Sequence, residues 1–249
     1  MPSKSRSSSA ARTFELINAV AARGRAGVSL SALAKDCGIA VSSCHRYVAT
    51  LEDLGVLERD GAGSIRLGPG LIALVHSYLD SDCLRQAARA RLEDLVAKHG
   101  ETCHLGRYFD GSVVYIDKVE CDKSIRMVSR VGSRIPAHSS AMGKAIASKL
   151  APGERERLIA GAKRRTEHTL LGEDLAADIA HAAERGWAID NQENELGVRC
   201  VGAAILAADG RLAGALSMSG PASRFSVADC RRVAPELASA AKAIGARLL

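Results

Sequence analysis

Polar residues that could bind a small anion recur along the second half of the sequence. Ser217 and Ser219 stand two positions apart in an apolar run, so on a strand both hydroxyls point to one face. Val198 and Cys200 have the same spacing, and Asp190 ends an earlier apolar run. Hydroxyl and carboxyl groups can bond the hydroxyl or carbonyl group of a metabolite. Together these residues predict one wall of a small-molecule pocket.

A helix start predicts the other end of this pocket. A helix that begins near Ser140 leaves the amides of Ala141 and Met142 without partners inside the helix, and its dipole favours an anion there. A small carboxylate could bond these amides while Asp190 and the two serines bond its other polar group. Lys144, on the same helix, either bonds carbonyls or faces solvent, and no role is assigned to it.

A second set of polar residues lies near the N-terminus and predicts DNA binding. Ala34, with Gly38 four residues later and a polar helix after it, is typical of a helix-turn-helix. Arginines flank the turn of the hairpin that follows, as in a wing. Serine and histidine can reach base edges, and arginine can bond phosphate or guanine. The predicted DNA-binding residues are Ser42, Ser43, His45, Arg46, Arg59 and Arg66.

Two other kinds of site have to be weighed. Cys200, His138 and Asp190 could form a thiol-based catalytic triad, although an isolated cysteine is more often a small buried apolar residue. A zinc site could gather Cys103, His104, Cys121 and Cys200, but no two have ligand-like spacing. We therefore expect no enzyme, no catalytic residue, no metal and no cofactor.

Composition agrees with an ordinary globular protein of two domains. The 249 residues are 47% hydrophobic and 25% charged, with a net charge of +6. Residues 1–70 carry nine Lys and Arg against six Asp and Glu, so the placement of the charges matters more than their sum. Seven scattered cysteines without a CxxC pair favour a reducing cytoplasm. No signal peptide or membrane-spanning run is present, so we expect no membrane association.

The periodicity of apolar residues predicts the elements. Helices are expected at 13–23, 29–38, 41–54 and 69–79, with a hairpin of strands at 56–59 and 64–67. After a break at 80–82 come helices at 84–99, 139–150, 152–161, 172–185 and 226–249, and strands at 102–108, 112–120, 125–131, 187–191, 199–207 and 211–219.

This order predicts an α/β (α+β) chain. We expect a disordered arm at 1–9, a winged helix-turn-helix domain at 10–68, a linker helix at 69–81 and an effector-binding domain at 82–249. The last domain should be an antiparallel sheet with helices on its faces.

Several separated motifs resemble the IclR (isocitrate lyase regulator) family. Residues 33–46, LEDLG at 51–55 and LG at 67–68 are similar to its DNA-binding domain. In the second half the similar segments are IPAHSSAMGKA at 135–145, GWAIDNQE at 186–193, GVRCV at 197–201 and GALSMSGP at 214–221. The resemblance covers residues 10–249. Ala204, Leu206 and Ala207 depart from it, because many members carry proline, an aromatic residue and aspartate there.

The resemblance implies a bacterial transcriptional regulator whose affinity for operator DNA is modulated by a small organic acid or related metabolite. It implies a GAF-like second domain and a homodimer or homotetramer, and a dimer would read a palindromic operator. Met127, Ile135 and Val198 could equally be core residues. The effector-binding positions that it implies are Met127, Ile135, Ala141, Met142, Asp190, Val198, Cys200, Ser217 and Ser219.

Overall fold

The structure is a computed structural model that describes residues 8–124 and 129–248. It divides between Ser81 and Asp82 into two compact units, here called the N-terminal unit and the C-terminal unit. Met127 and most of the predicted strand at 125–131 lie outside the described residues.

The N-terminal unit consists of helices and one hairpin. Its elements are α1 (Ser8–Arg23), α2 (Leu30–Asp36), α3 (Val41–Asp53), β1 (Leu57–Arg59), β2 (Ile65–Leu67) and α4 (Gly70–Ser81). Leu16 of α1, Leu33 of α2, Val48 of α3 and Ile65 of β2 meet in a buried apolar core. The core holds the three helices and the hairpin together, because each element buries one apolar face in it.

Helix α1 begins earlier than expected. It starts at Ser8, five residues before the predicted start and inside the predicted arm 1–9, so the end assigned to the arm needs correction. Ala10 and Ala11 have high helix propensity, and the Thr13 hydroxyl bonds the carbonyl of Ser9 at 2.9 Å within the added turn. The prediction missed this helical turn because the polar, serine-rich composition of residues 1–9 is typical of a disordered arm.

The C-terminal unit is built on one antiparallel sheet of six strands. Its strands are β3 (Thr102–Phe109), β4 (Ser112–Val119), β5 (Arg134–Pro136), β6 (Ala188–Asn191), β7 (Val198–Leu206) and β8 (Leu212–Pro221), and their spatial order is β5-β4-β3-β8-β7-β6. Its helices are α5 (Cys83–His99), α6 (Ala141–Ala147), α7 (Pro152–Ala160), α8 (Gly172–Arg185) and α9 (Val227–Gly245).

The helices cover both faces of this sheet. On one face Val201 and Met218 pack with Leu92 of α5 and Leu237 of α9 in the larger core. On the other face, residues of α6 and α8 pack with Tyr115 in a second core. Strand residues alternate between the faces. Ser217 and Ser219, which flank Met218, therefore lie on the α6 face.

Edge strand β5 differs from the expected strand at 125–131. It occupies Arg134–Pro136, and residues 129–131 are not part of a strand. A turn at 130–133, closed by the bond from the Ser133 amide to the Arg130 carbonyl, precedes it. The predicted strand is therefore not observed at residues 129–131, and residues 125–128 lie outside the described part of the chain.

Helix α6 lies in backbone contact with its neighbours at two glycines. A Cβ atom placed on Gly143 would be 2.2 Å from the Cα of Ala137, and one on Gly202 of β7 would be 2.7 Å from the amide nitrogen of Met142. Real Cβ atoms do not approach other atoms this closely, so any larger residue has to move backbone. The two glycines therefore fix how close α6 lies to the sheet.

The variant Gly143→Ala tests this contact. Alanine has a helix propensity about 1 kcal/mol better than glycine, so propensity alone predicts a gain in stability. The clash with Ala137 predicts a loss of about 3 kcal/mol or more in the free energy of unfolding. Urea unfolding can be followed by the fluorescence of Trp187, the single tryptophan of the chain.

Gly153→Ala is the matched control, because Gly153 also lies in a helix and the nearest neighbour of its added Cβ is an Arg157 nitrogen at 3.9 Å. This control should unfold at the wild-type urea concentration or above it. Equal stability of both variants would contradict the close contact.

Candidate DNA interface and ligand cavity

Helix α3 presents the predicted DNA-binding residues on its outer face. Cys44 and Val48 are buried, whereas Ser42, His45 and Arg46 are exposed and Ser43 is half-buried. This division follows from the helical period, which places residues three or four apart on the same side. The turn before α3 has Gly38 in the left-handed region, at φ 60°.

Arg46 belongs to an open concavity at the junction of α1 and α3. Its volume is about 350 Å³, and its lining also includes Ser43, Tyr47 and Thr50 of α3 and Arg12 of α1. Arg46 has no ion-pair partner in the described part of the chain. Arg12 was not among the predicted residues, because its approach to α3 depends on how α1 packs.

Unlike Arg46, the two arginines of the hairpin form ion pairs within the N-terminal unit. Arg59 pairs with Glu52 at 2.7 Å, and Arg66 pairs with Asp60 at 2.8 Å. Asp60 also shapes the turn, since its carboxylate accepts bonds from the amides of Ala62 and Ser64. The positive charge of the hairpin is therefore partly compensated within the unit.

The predicted effector residues surround one small cavity in the C-terminal unit. All eight that the structure describes line it, and Met127 lies outside the described residues. Those eight are Ile135, Ala141, Met142, Asp190, Val198, Cys200, Ser217 and Ser219. Sequence reasoning missed three other lining residues, Tyr115, Ser140 and Asn194.

Strand register brings the polar wall together. Asp190 of β6 stands opposite Cys200 of β7, Cys200 stands opposite Ser219 of β8, and Ser217 stands opposite Gly202. Directly opposed residues share a face of the sheet. The two-residue spacing found in the sequence therefore places these side chains on the face that α6 covers.

The first turn of α6 forms the opposite wall. Ser140 caps the helix, with its hydroxyl accepting a bond from the Gly143 amide at 3.2 Å. The amides of Ala141 and Met142 belong to the first turn and have no partner inside the helix. Both residues are buried and line the cavity.

Asp190 is buried, and its carboxylate already accepts hydrogen bonds from backbone amides. One carboxylate oxygen accepts from the amides of Glu193 at 2.7 Å and Asn194 at 3.3 Å. Burial, and then the nearby charge of Glu193, raise the pKa of Asp190 to about 7. Near neutral pH this carboxyl group is therefore partly protonated and can donate a hydrogen bond to an anion.

Lys144 neither bonds carbonyls nor faces solvent, the two roles that the sequence left open. It is completely buried, with its ammonium 2.7 Å from a carboxylate oxygen of Asp178 in α8 and 2.5 Å from one of Glu193. Burial raises the pKa of Glu193, and Lys144 partly offsets this shift. The ion pairs hold the segment after β6 against α6.

His104 is a further buried polar residue on this face. It stands opposite Ser217, and its ring lies 4.7 Å from that of Tyr115. Its Nε2 bonds the Ser129 hydroxyl, whereas its Nδ1 is buried and has no partner among the described residues. Burial, reinforced by Lys118, lowers the pKa of His104 to about 4, so the ring is neutral at pH 7.

The cavity is nearly closed in this structure. Its volume is about 10 Å³, which is roughly the room needed by one water molecule. An organic acid would have to displace side chains to enter. Met142 is suited to such a movement, because the unbranched methionine side chain adapts to irregular spaces.

Neither the thiol-based catalytic triad nor the zinc site considered in the sequence analysis is formed by the described residues. His138 bonds the Lys163 carbonyl at 2.8 Å and lines a different groove, and burial raises the pKa of the Cys200 thiol well above its usual value. A thiol of this kind is a poor nucleophile. Cys103 and His104 are neighbours on β3 and point to opposite faces. Within residues 8–124 and 129–248, no three His, Cys, Asp or Glu residues are grouped as metal ligands.

None of the helices that the structure describes combines the length and apolar character required to cross a bilayer.

Two family profiles match this chain. The profile described as "Bacterial transcriptional regulator IclR C-terminal" matches residues 76–246, which is more than half of the chain. The profile described as "IclR helix-turn-helix domain" matches residues 9–61. The two matches follow each other in the order that the motifs predict.

Individual proteins support the same relation. The transcriptional regulator XynR of Escherichia coli K12 is 32% identical over 225 residues, which cover 89% of this chain and 89% of that protein. The crystal structure of Thermotoga maritima IclR is 30% identical, with a TM-score of 0.72 over 98% of this chain and 99% of that one.

An IclR homologue from Microbacterium hydrocarbonoxydans, crystallised with 4-hydroxybenzoate, has a TM-score of 0.78 at 23% identity, over 95% of this chain and 98% of that one. At this identity the similarity supports the fold alone.

The fold, the helix-turn-helix and the comparisons agree. XynR is named a transcriptional regulator, in agreement with the expectation that this chain is a regulator and not an enzyme. The profile matches and the identity to XynR are sufficient to assign the family. The chain belongs to the IclR family of bacterial transcriptional regulators.

Proposed function

We propose that this regulator binds a small organic acid in the cavity under α6 and that occupancy changes its affinity for a double-stranded operator. The observation that carries the proposal is the convergence on one cavity of eight predicted residues that come from separate segments of the chain. The Ala141 and Met142 amides would bond the carboxylate. Protonated Asp190 and the hydroxyls of Ser217 and Ser219 supply further hydrogen bonds.

The division of the chain supports a separation of reading and sensing. We propose a DNA-binding domain at 10–68, a linker helix at 69–81 and an effector-binding domain at 82–249. A ligand alters operator affinity only if it binds one arrangement of these domains better than another. Operator DNA lies in the bacterial cytoplasm, where we also place this protein, and its seven free cysteines suit that compartment.

A homodimer on a palindromic operator is the proposed DNA-bound state. No residue of α4 is buried, although the helix is apolar, and Ile72, Leu74 and Val75 are 69%, 65% and 54% exposed. Contiguous exposed apolar side chains mark an association surface. A second copy of the chain is the occupant that we propose, since a helix-turn-helix of this size reads two half-sites as a dimer.

Replacing Leu74 with glutamate should shift the protein from dimer to monomer, because the charge would be buried unpaired at the α4 surface. Sedimentation equilibrium measures the change, and circular dichroism checks folding. Leu196→Glu is the control, because it changes an apolar residue of similar exposure, 56%, in the C-terminal unit. It should leave the α4 contact between the two copies intact. An unchanged mass for Leu74→Glu would remove α4 from the interface.

Arg46 should contribute more to DNA binding than either hairpin arginine. Arg46→Gln is expected to weaken binding to an operator selected from random duplexes by about tenfold to a hundredfold, the range for one lost base or phosphate contact. Arg59→Gln and Arg66→Gln should cost less, because each arginine would first have to leave Glu52 or Asp60.

Fluorescence anisotropy over a series of salt concentrations measures these affinities. Arg231→Gln, which removes an exposed charge from α9, is the control. Wild-type affinity in Arg46→Gln would contradict the proposed reading face.

Effector affinity should depend on pH through Asp190. The folded-state pKa is raised to about 7, so the carboxyl group is mostly protonated at pH 6 and mostly ionised at pH 8. The protonated form donates to a carboxylate, whereas the ionised form repels it. Affinity should therefore fall as pH rises through 7, by up to about tenfold per unit. Calorimetry can measure this with an acid chosen from a thermal-shift screen that includes 4-hydroxybenzoate.

Two variants test whether Asp190 is the group that causes this pH dependence. Asp190→Asn keeps an oxygen for the Glu193 and Asn194 amides and a donor for the ligand, so its affinity should no longer vary with pH. Ser217→Ala should weaken binding by about tenfold at every pH, since it removes one hydrogen bond without a titratable group. A pH dependence that survives in Asp190→Asn would show that another group titrates.

A further inference from the structure

An open groove in the C-terminal unit lies apart from the effector cavity. Its volume is about 370 Å³, within the range of small-molecule sites, and it shares no lining residue with that cavity. Its rim carries Arg157 of α7, and Lys163 and Arg165 from the segment between α7 and α8. His138 and Pro136 line it from the segment that leads into α6.

The three cations of this groove have no ion-pair partner within the described residues, and they converge on one concavity. Arg157, Lys163 and Arg165 are all exposed. Several other cations of the unit are paired, for example Arg107 with Asp82. Two paired cations, Lys123 and Arg224, even share the carboxylate of Glu101.

The nearby acids do not neutralise the groove. Asp110 is the one acidic residue among its described lining residues, which leaves an excess of two positive charges. Glu154 interacts with Tyr108, and Glu167 lies 3.8 Å from His168. Burial lowers the pKa of His138 and so disfavours the charged form of its ring.

The backbone that carries these cations is held in place. Nε2 of the buried His138 lies 2.8 Å from the carbonyl oxygen of Lys163. The buried hydroxyl of Thr169 accepts bonds from the amides of Arg165 and Thr166 and donates to the Glu193 carbonyl at 2.7 Å. A ligand would therefore bind without first having to order this segment, and preorganisation of this kind increases affinity.

We propose that this groove is a second ligand site, which binds a small anion with two or more negative charges. Two guanidinium groups and one ammonium group suit oxyanions, because arginine can bond phosphate or carboxylate oxygens in pairs. Phosphate esters and polycarboxylates share this chemistry. The effector cavity, with an acidic side chain in its wall, suits a singly charged acid instead, so the two sites differ in ligand class.

Calorimetric titration of the full chain with inorganic pyrophosphate, and separately with citrate, tests the proposal. Sodium chloride holds the ionic strength constant. The groove variant combines Arg157→Gln, Lys163→Gln and Arg165→Gln, all of which are exposed, so folding should be unaffected. The control variant combines Arg231→Gln, Lys242→Gln and Arg247→Gln, which removes the same charge from exposed positions on and just after α9.

We expect saturable binding of at least one probe to the wild type and the control, with an affinity about tenfold to a hundredfold weaker in the groove variant. The stronger of the two probes assigns the source, phosphate or carboxylate. Equal weakening in both variants would mean general charge attraction and overturn the proposal. So would the absence of saturable binding to the wild type, or binding of a random DNA duplex that the groove variant alone loses while neither probe binds.

Discussion

Helix α6 lies on strand β7 with no side chain between their backbones, and the polar groups of the cavity depend on this contact. Gly143 permits the approach to Ala137, and Gly202 permits the approach to the amide of Met142. The first-turn amides are thereby brought over the face of the sheet that carries the serines. The same closeness leaves Lys144, one residue after Gly143, with no route to solvent.

A buried ammonium group is tolerated only with partners, and those partners extend the arrangement outward from α6. Lys144 forms ion pairs with Asp178 of α8 and with Glu193 of the segment after β6. The amide of Glu193 in turn donates a bond to Asp190, whose carboxyl group keeps a raised pKa because it is buried and lies near the charge of Glu193. Packing of the helix and protonation of the cavity wall are therefore parts of one electrostatic system.

Local patterns were sufficient to predict some of this site, and long-range contacts decided the rest. The spacing of Ser217 and Ser219 was informative because the two-residue period of a strand needs no tertiary information. The ion pairs of Lys144 were not predictable, since they join residues up to 49 positions apart. Tyr115 and Arg12 were missed for the same reason, whereas the start of α1 was missed because serine-rich composition outweighed its alanines.

The ion pairs of the hairpin bear on how such a protein would find its operator in a genome. Attraction to arbitrary DNA comes from cations that replace the counterions of phosphates, and it grows with the number of free cations. Arg59 and Arg66 already have Glu52 and Asp60 as intramolecular partners. The attraction of these two arginines to an arbitrary duplex is reduced, and the base contacts proposed for α3 do not involve these ion pairs. Because millions of competing sequences surround one operator, weaker trapping by these sequences increases the fraction of molecules at the correct site.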